Sequence, residues 1–559
     1  MTMQPSLSQD AYLNKMVLNV HPIIRHYIER LEIPNIIRSH MKSDRRRIVQ
    51  TEQALSLVIH NYLTESHPLY EFQDWVRPLA AAAIDLSEQE RDGIQDDRIG
   101  KALEQLYLGR HKDVFFRLAL RAIKLFELDC SQVHQDTTSI TFCGRYAGWS
   151  AQEALGFGHN KDHRPDLKQL VLGMTVTADG AVPLCHRVYD GNQTDDRLHP
   201  DNHRRLQKLL GRTDFIYVAD SKLATDDNLQ TISRWGGLFV SVMPRTWKED
   251  ELFREKVRGG DIKWQHILSR ANNRKPDAQT DRYYKAAGDY HTARGYRLYW
   301  IRSSQKVAQD RETRTRRLQA ALQGLRRLQT KLNKYSLKNR KNIEAAVRAI
   351  RKEQHCGECI AVEIDECREY NHLRTKRGRP KKDEAGRLSW KTLYSITFAV
   401  RHEVIEREEK ADGVFPLITN LDATRYRAKR VLEIYKFQPF LEKRHSQIKT
   451  YQEITPVNVK KSERVVGYLH MQVMSLMVST LIERQLRMAM RRESIKALPI
   501  YPEGRPCQYP TMFDIVRLFR GVERYEVHEG DEVTIFPAQI NKIQAQVLNL
   551  LDVPLALYQ

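Results

Sequence analysis

Three chemically distinct side chains recur at equal steps in the stretch YKFQPFLEKRHSQIK, namely Tyr435, Glu442 and Lys449. Seven residues fall about 20° short of two helical turns, so on one continuous helix the phenol, the carboxylate and the ammonium share a face. A face buried against a core would carry Leu or Ile there. A polar partner is therefore expected, the alternative being a solvated surface with incidental spacing. Two further carboxylates fall where strands are expected. Asp136 lies in the middle of SQVHQDTTSITF, whose β-branched residues suit a pleated, half-buried surface. Asp220 closes the apolar run TDFIYVAD, which reads as a buried central strand. A carboxylate within a strand is costly unless it faces solvent, a partner or a metal.

The elements that must position these acids follow a recognisable order. KQLVLGMTV (168–176) and AVPLCHRV (181–188) read as strands joined by the turn Thr177-Ala178-Asp179-Gly180, where Gly180 is free to take positive φ. HPDNHRRLQKLL reads as a helix with Pro200 in its first turn and Gly211 as its stop. A second helix, Thr225 to Trp235, is capped by Thr225 and carries Asp226 and Asp227 in its first turn, and GLFVSVM supplies a fifth strand. This order matches the RNase H-like fold, in which the first and fourth strands are neighbours and set Asp136 beside Asp220. Adjacent carboxylates repel unless a cation lies between them. Mg²⁺ is the natural occupant, a hard ion that takes oxygen ligands and keeps waters for phosphates. The expected class is α/β, an RNase H-like mixed sheet flanked by helices, with a large inserted β-plus-helical domain and an α-helical N-terminal domain.

Asp136 in HQDTTS, Asp220 in YVADSKL, and Glu442 seven residues before Lys449 resemble the Asp-Asp-Glu triad of DDE transposases from bacterial insertion sequences. The likeness extends to the subgroup whose third motif reads Y-x2-R-x3-E-x6-K, here Tyr435, Gln438, Glu442 and Lys449, so Gln438 stands in the Arg position. GFGHNKDHRPDLKQLVLG (156–173), VYDGNQTDD (188–196) and GVFPLITN (413–420) also resemble that group, and the similarity covers most of 119–480. The resemblance implies DNA cleavage at transposon ends and strand transfer by two-metal-ion phosphoryl transfer. It implies Asp136, Asp220 and Glu442 as catalytic metal ligands, Mg²⁺ as cofactor with Mn²⁺ able to substitute, and Tyr435 and Lys449 as DNA-binding residues. The implied partners are double-stranded DNA, as inverted-repeat ends and target, and a second subunit in a homodimeric DNA complex. The rival readings are an RNase H-like nuclease without strand transfer and a catalytically inactive DNA-binding regulator.

Length and charge bound the remainder. At 559 residues two to four domains are expected, and 91 Lys and Arg against 70 Asp and Glu give a net charge of +21, which implies a polyanionic partner. MTMQPSLSQDAYLNK lacks the apolar core of a signal peptide, and no uninterrupted apolar 18-mer stands out. A bacterial cytoplasmic protein, nucleoid-associated when bound to DNA and without membrane contact, is the expectation. The seven scattered cysteines are expected as reduced thiols.

The expected divisions are a helical N-terminal domain at 1–118, a first core part at 119–245, an insertion at 246–425, a second core part at 426–497 and a C-terminal segment at 498–559 that is a candidate for oligomer contacts. No strand pattern is evident in 1–118, where Arg45-Arg46-Arg47 reads either as a phosphate contact or as solvated surface. The insertion opens with β-like pieces such as RGYRLYWIRSS (294–304). It then turns helical, with one apolar stripe of Leu318, Leu322, Leu325, Leu328, Leu332 and Tyr335 and a second of Ile343, Val347 and Ile350. RTKRGRPKK (374–382) matches the core of an AT-hook, and Arg377 and Arg379 are expected to bind DNA either in a minor groove or as a non-specific basic loop. His355, Cys356, Cys359, Cys367 and His372 offer enough ligands for zinc at an unfamiliar spacing, with reduced thiols as the default. In the helix predicted over 464–492, Met471, Met474 and Met477 are expected in the core.

Overall fold

In the computed structural model, β1 (Gln132–Phe142) pairs antiparallel with β2 (Lys168–Thr177), and β2 antiparallel with β3 (Pro183–Tyr189). On its other side β1 runs parallel to β4 (Ile216–Val218), and β4 parallel to β5 (Leu238–Val242). The order β3-β2-β1-β4-β5, a three-strand meander followed by two parallel strands, is the RNase H-like one. Parallel neighbours need crossovers, and the helices α1 (His199–Leu210) and α2 (Asp226–Arg234) supply them. Local chemistry sets their ends. Gly211 closes α1 at a φ of +63°, and the Thr225 side chain accepts the Asn228 N–H at 3.3 Å. Gly180 turns the β2–β3 hairpin at a φ of +85°. The structure describes residues 12–559 apart from 42, 43, 45, 110, 144, 145, 147, 159–163, 194–197, 272–279, 374–386, 452–460, 530 and 531.

The chain forms two compact units, 1–241 with 432–559, and 242–431. In the first, the sheet is joined by α3 (Ala428–Tyr435), α4 (Gln438–Ser446) and α5 (Ser462–Arg492). By length and composition α5 is apolar enough to cross a membrane, which corrects the expectation that no stretch approaches this; 94% of its apolar window is nevertheless buried inside the protein. Met471, Met474 and Met477 lie in that core. Helices Thr51–Thr64 and Asp96–Leu108 pack against α5, and at Gly467 any Cβ would come within 2.3 Å of the Leu103 carbonyl oxygen. The regions expected at 1–118 and 498–559 thus both fall in the unit that holds the sheet.

One expectation for the N-terminal region fails: it contains a strand. Tyr12–Val17 pairs antiparallel with Glu523–Glu529, which pairs in turn with Glu532–Phe536. A strand whose partner is so remote in sequence leaves no hairpin signal beside it. Arg46 and Arg47 each pair with Asp44, and Arg47 also reaches Gln105 at 3.3 Å, so these two are tied to their own surface; Arg45 lies outside the described residues.

The second unit is a β-plus-helical body. Val414–Thr419, Arg297–Ser303, Asp281–Ala286 and Trp264–Arg270 pair in that order, all antiparallel. Helices Ser304–Gln329 and Arg340–Glu353 bring Leu325, Leu328, Ile343 and Val347, with Leu332 from the turn between them, into one apolar cluster with Ile360 and Ile396 of the two-stranded ribbon Ile360–Leu373/Arg387–Val400. The stripes therefore serve internal packing. Tyr335 departs from its stripe: it follows the helix end, at a φ of +47°, and is 90% exposed. Arg377 and Arg379 lie outside the described residues.

Candidate active site

Register alone sets Asp136 beside Asp220. The parallel pairs Gln132↔Ile216, Val133↔Tyr217 and His134↔Val218 run up to two residues before each aspartate. Asp220 lies two residues past the end of β4, so this register brings it alongside Asp136 where the neighbouring strands lie about 5 Å apart. Both are partly exposed, while the strand residues around them are buried. Asp220 begins a turn: its Oδ1 accepts the Lys222 N–H at 3.0 Å, and its carbonyl accepts the Ser241 hydroxyl at 2.6 Å.

The segment carrying the third acid is not one helix. α3 ends at Tyr435, α4 begins at Gln438, and Gln447–Tyr451 forms a π-helical turn. Pro439 is the physical reason: it lacks an N–H, and inside a continuous helix its ring would meet the carbonyl four residues earlier, that of Tyr435. The π turn shifts Lys449 again. The shared face expected for Tyr435, Glu442 and Lys449 is thereby lost, although the three stay in one short stretch. Tyr435 is half-buried, Glu442 exposed and Lys449 half-exposed.

A neutral, buried network fixes α4 on the sheet. Gln438 donates from Nε2 to the Gln135 carbonyl at 3.0 Å and lies 2.9 Å, through Oε1, from His134 Nδ1. His134 Nε2 lies 2.6 Å from Gln132 Nε2, which also reaches the Ile434 carbonyl at 3.3 Å. Burial pushes the His134 imidazole down to about 4, so it stays neutral, with Nδ1–H donating to Gln438 and Nε2 accepting from Gln132. Gln438, in the Arg position of the motif, is thus a buried tether one residue from Asp136, not an exposed cation. Arg444 clamps the far side of α4 with a 2.9 Å ion pair to Glu483 of α5 and a 3.0 Å bond to the Gly180 carbonyl. Burial favours the neutral acid at Glu483, but Arg444 and Arg487 outweigh it and hold the carboxyl below its usual range.

The acids act together on Tyr435. Burial first, then the charges of Asp220, Glu442 and Asp136, raise its hydroxyl well above the usual tyrosine value, so it remains a phenol able to donate. His445, buried on α4, places Nε2 3.9 Å from Asp136 Oδ2. The donor set of Asp136, Asp220 and Glu442 suits a hard divalent cation in kind, and exposed Glu442 makes no ion pair among the described residues. No three His, Cys, Asp or Glu side chains among the described residues are drawn tightly round a common point.

The zinc alternative loses its geometry. Cys356 and Cys359 are buried in the apolar cluster of the second unit. Cys367 is exposed on the ribbon strand Ile360–Leu373, whose rise of about 3.3 Å per residue carries it roughly 20 Å beyond Cys359; the His372 side chain is outside the described part. Sequence reasoning missed Gln132, His134 and Arg444. The available signal was the period-two placement of Gln132 and His134 on a strand otherwise destined for burial.

Comparison with protein families matches residues 13–120 to a domain of unknown function, DUF4277. No curated protein matches. Among solved structures, a piggyBac transposase in a synaptic complex with hairpin DNA is similar in part, at 11% identity and a TM-score of 0.29 over 50% of this chain and 60% of that one. The chain therefore spans less than two thirds of that transposase.

Proposed function

We propose that this chain is a DDE transposase that cuts DNA at the ends of a mobile element and joins the freed 3′ ends to target DNA. The observation that carries the reading is the register that brings Asp220, just past the end of β4, alongside Asp136 on the neighbouring parallel strand, with Glu442 near enough for all three charges to bear on Tyr435. Asp136 and Asp220 would hold the ions and Glu442 would complete the second site. Mg²⁺ or Mn²⁺, when bound, lowers the pKa of an attacking water or 3′-hydroxyl and stabilises the leaving oxygen. Tyr435 stays protonated and donates to a phosphate oxygen, and Lys449 neutralises a neighbouring phosphate. Gln438 and Arg444 keep Glu442 in place without adding a free charge. The net charge of +21 and the basic segment with Arg377 and Arg379 support a DNA partner. The protein acts as a homodimer on paired ends, in the bacterial cytoplasm and on nucleoid DNA.

The test is incubation with Mg²⁺ and DNA bearing the inverted repeats that bracket the reading frame. Nicked and joined products are expected. Nicks without joining would instead identify an RNase H-like nuclease, and a bound complex without cleavage a regulator.

A further inference from the structure

The second unit contains a cavity of about 230 Å³ whose walls are rich in arginine. A single water needs about 10–15 Å³ of such space, so there is room for a small oxyanion. Three of its guanidiniums are held. Arg254 meets Asp250 at 2.6 Å and the Ala411 and Val414 carbonyls at 3.2 and 3.0 Å. Arg258 meets Glu255 and Glu408, each at 2.9 Å. Arg314 pairs with Asp412, and with Glu409 at 3.3 Å.

The carboxylates that line the cavity are paired as well: Glu408 with Arg258, Asp412 with Arg314 through Oδ1 while its buried Oδ2 has no hydrogen-bond partner among the described residues, and Asp310 with Lys306 at 3.0 Å and the Gly413 N–H at 2.9 Å. Two further guanidiniums, Arg245 and Arg317, line the open side of the same space, both exposed and with no carboxylate at ion-pair distance among the described residues. Desolvation and then the neighbouring Arg254 disfavour the Arg245 charge, partly offset by Asp310, Asp250 and Asp412. Burial raises the Cys356 and Cys359 thiols, which keeps them neutral and adds no negative charge to the wall. Two unpaired guanidiniums at the open side of a wall of three paired ones can close on an anion with several oxygens, because each planar fork offers paired donors.

We propose that this cavity is an oxyanion site that takes a phosphate group, bound by Arg245 and Arg317 against the fixed wall of Arg254, Arg258 and Arg314. The phosphate comes from a free ion such as inorganic phosphate or pyrophosphate, or from a nucleic-acid backbone. The site does not depend on the carboxylate site or its chemistry.

The test is isothermal titration calorimetry of the full chain in EDTA at fixed ionic strength, with inorganic phosphate and pyrophosphate as probes. Wild type is expected to bind pyrophosphate, with at least about tenfold weaker binding in Arg245→Gln/Arg317→Gln, given the strength of charge-assisted bonds. Arg316→Gln/Arg326→Gln, which removes two exposed arginines elsewhere in the unit, is the control and should bind as wild type. A saturating short duplex that abolishes the pyrophosphate heat identifies the backbone as the source, and undiminished heat identifies the free ion. Absent binding, equal binding by the cavity variant, or equal loss in the control overturns the proposal.

Discussion

The carboxylate site of the first unit and the arginine cavity of the second are opposites in construction as well as in charge. In the cavity the supporting groups are themselves charged, and three guanidiniums are cancelled by carboxylates before any ligand arrives. At the carboxylate site the contacts that seat α4 on the sheet are neutral: two amides and an imidazole held uncharged. Its buried ion pair, Arg444 with Glu483, is completed by Arg487 and the Met512 N–H. The neutral contacts add no charge beside the acids, whereas in the cavity the charged ones leave Arg245 and Arg317 as the guanidiniums without an ion pair among the described residues.

The largest effect expected from breaking this contrast is on chemistry. Asp136→Ala, Asp220→Ala and Glu442→Ala should each reduce strand cleavage to background while leaving gel-shift affinity for DNA ends nearly intact, because affinity comes from the basic surface. Near wild-type cleavage by any one of them removes that residue from the site. Next is the buried pair of Arg444 with Glu483. Arg444→Ala should destabilise the first unit by about 3–5 kcal/mol in urea unfolding, the cost of stranding a buried charge. A loss below 1 kcal/mol would mean that Glu483 is satisfied by Arg487 alone.

The neutrality of the scaffold predicts a pH dependence. His134 and His21, both held near 4 by burial, sit below the ordinary value of 6.5, so between those values the unfolded chain binds protons that the folded chain does not. Stability is full above pH 6.5 and falls as the pH drops towards 4, by roughly 3 kcal/mol for each imidazole. Glu483, depressed in the folded protein, adds a further loss at more acid pH. Unfolding midpoints that stay flat from pH 7 to 4.5 would contradict a neutral His134. A smaller effect should follow Gln438→Ala, which leaves the Gln135 carbonyl and the His134 Nδ1–H without partners at a cost of about 1–3 kcal/mol. Gln438→Arg, which restores the motif's cation, should do no better, and a stabilised variant would show that the tether is dispensable. The smallest change is expected for Lys449→Ala, a several-fold loss of end affinity with the Mg²⁺ and Mn²⁺ dependence of cleavage unchanged. A shifted metal requirement would place Lys449 among the groups around the ions.

Much of this contrast was legible in the sequence on the sheet side. The β-branched run around Asp136, the apolar run before Asp220 and the caps at Thr225 and Gly211 are local signals, and each acts where it stands. The break after Tyr435 is also written locally, in Pro439, although the seven-residue spacing by itself points to a continuous helix. Gln438 and His134 were illegible for another reason: their roles exist only once residues 304 positions apart are brought together. The cavity likewise depends on which arginines find carboxylates, and composition counts charges without pairing them.

The pairing of Tyr12–Val17 with Glu523–Glu529 bears on how the protein is made. Asn19 and Gly521, bonded beside that pairing, are 502 positions apart, so at about 5–20 residues per second the first strand waits roughly half a minute to two minutes for its partner to be synthesised. Meanwhile the second unit, contiguous in sequence, is complete and free to fold on the ribosome. The first unit keeps an open strand edge, a surface prone to wrong pairing, until translation is nearly over. A chain halted before Glu523 is accordingly expected to be cut by protease near Tyr12–Val17, where the finished protein resists.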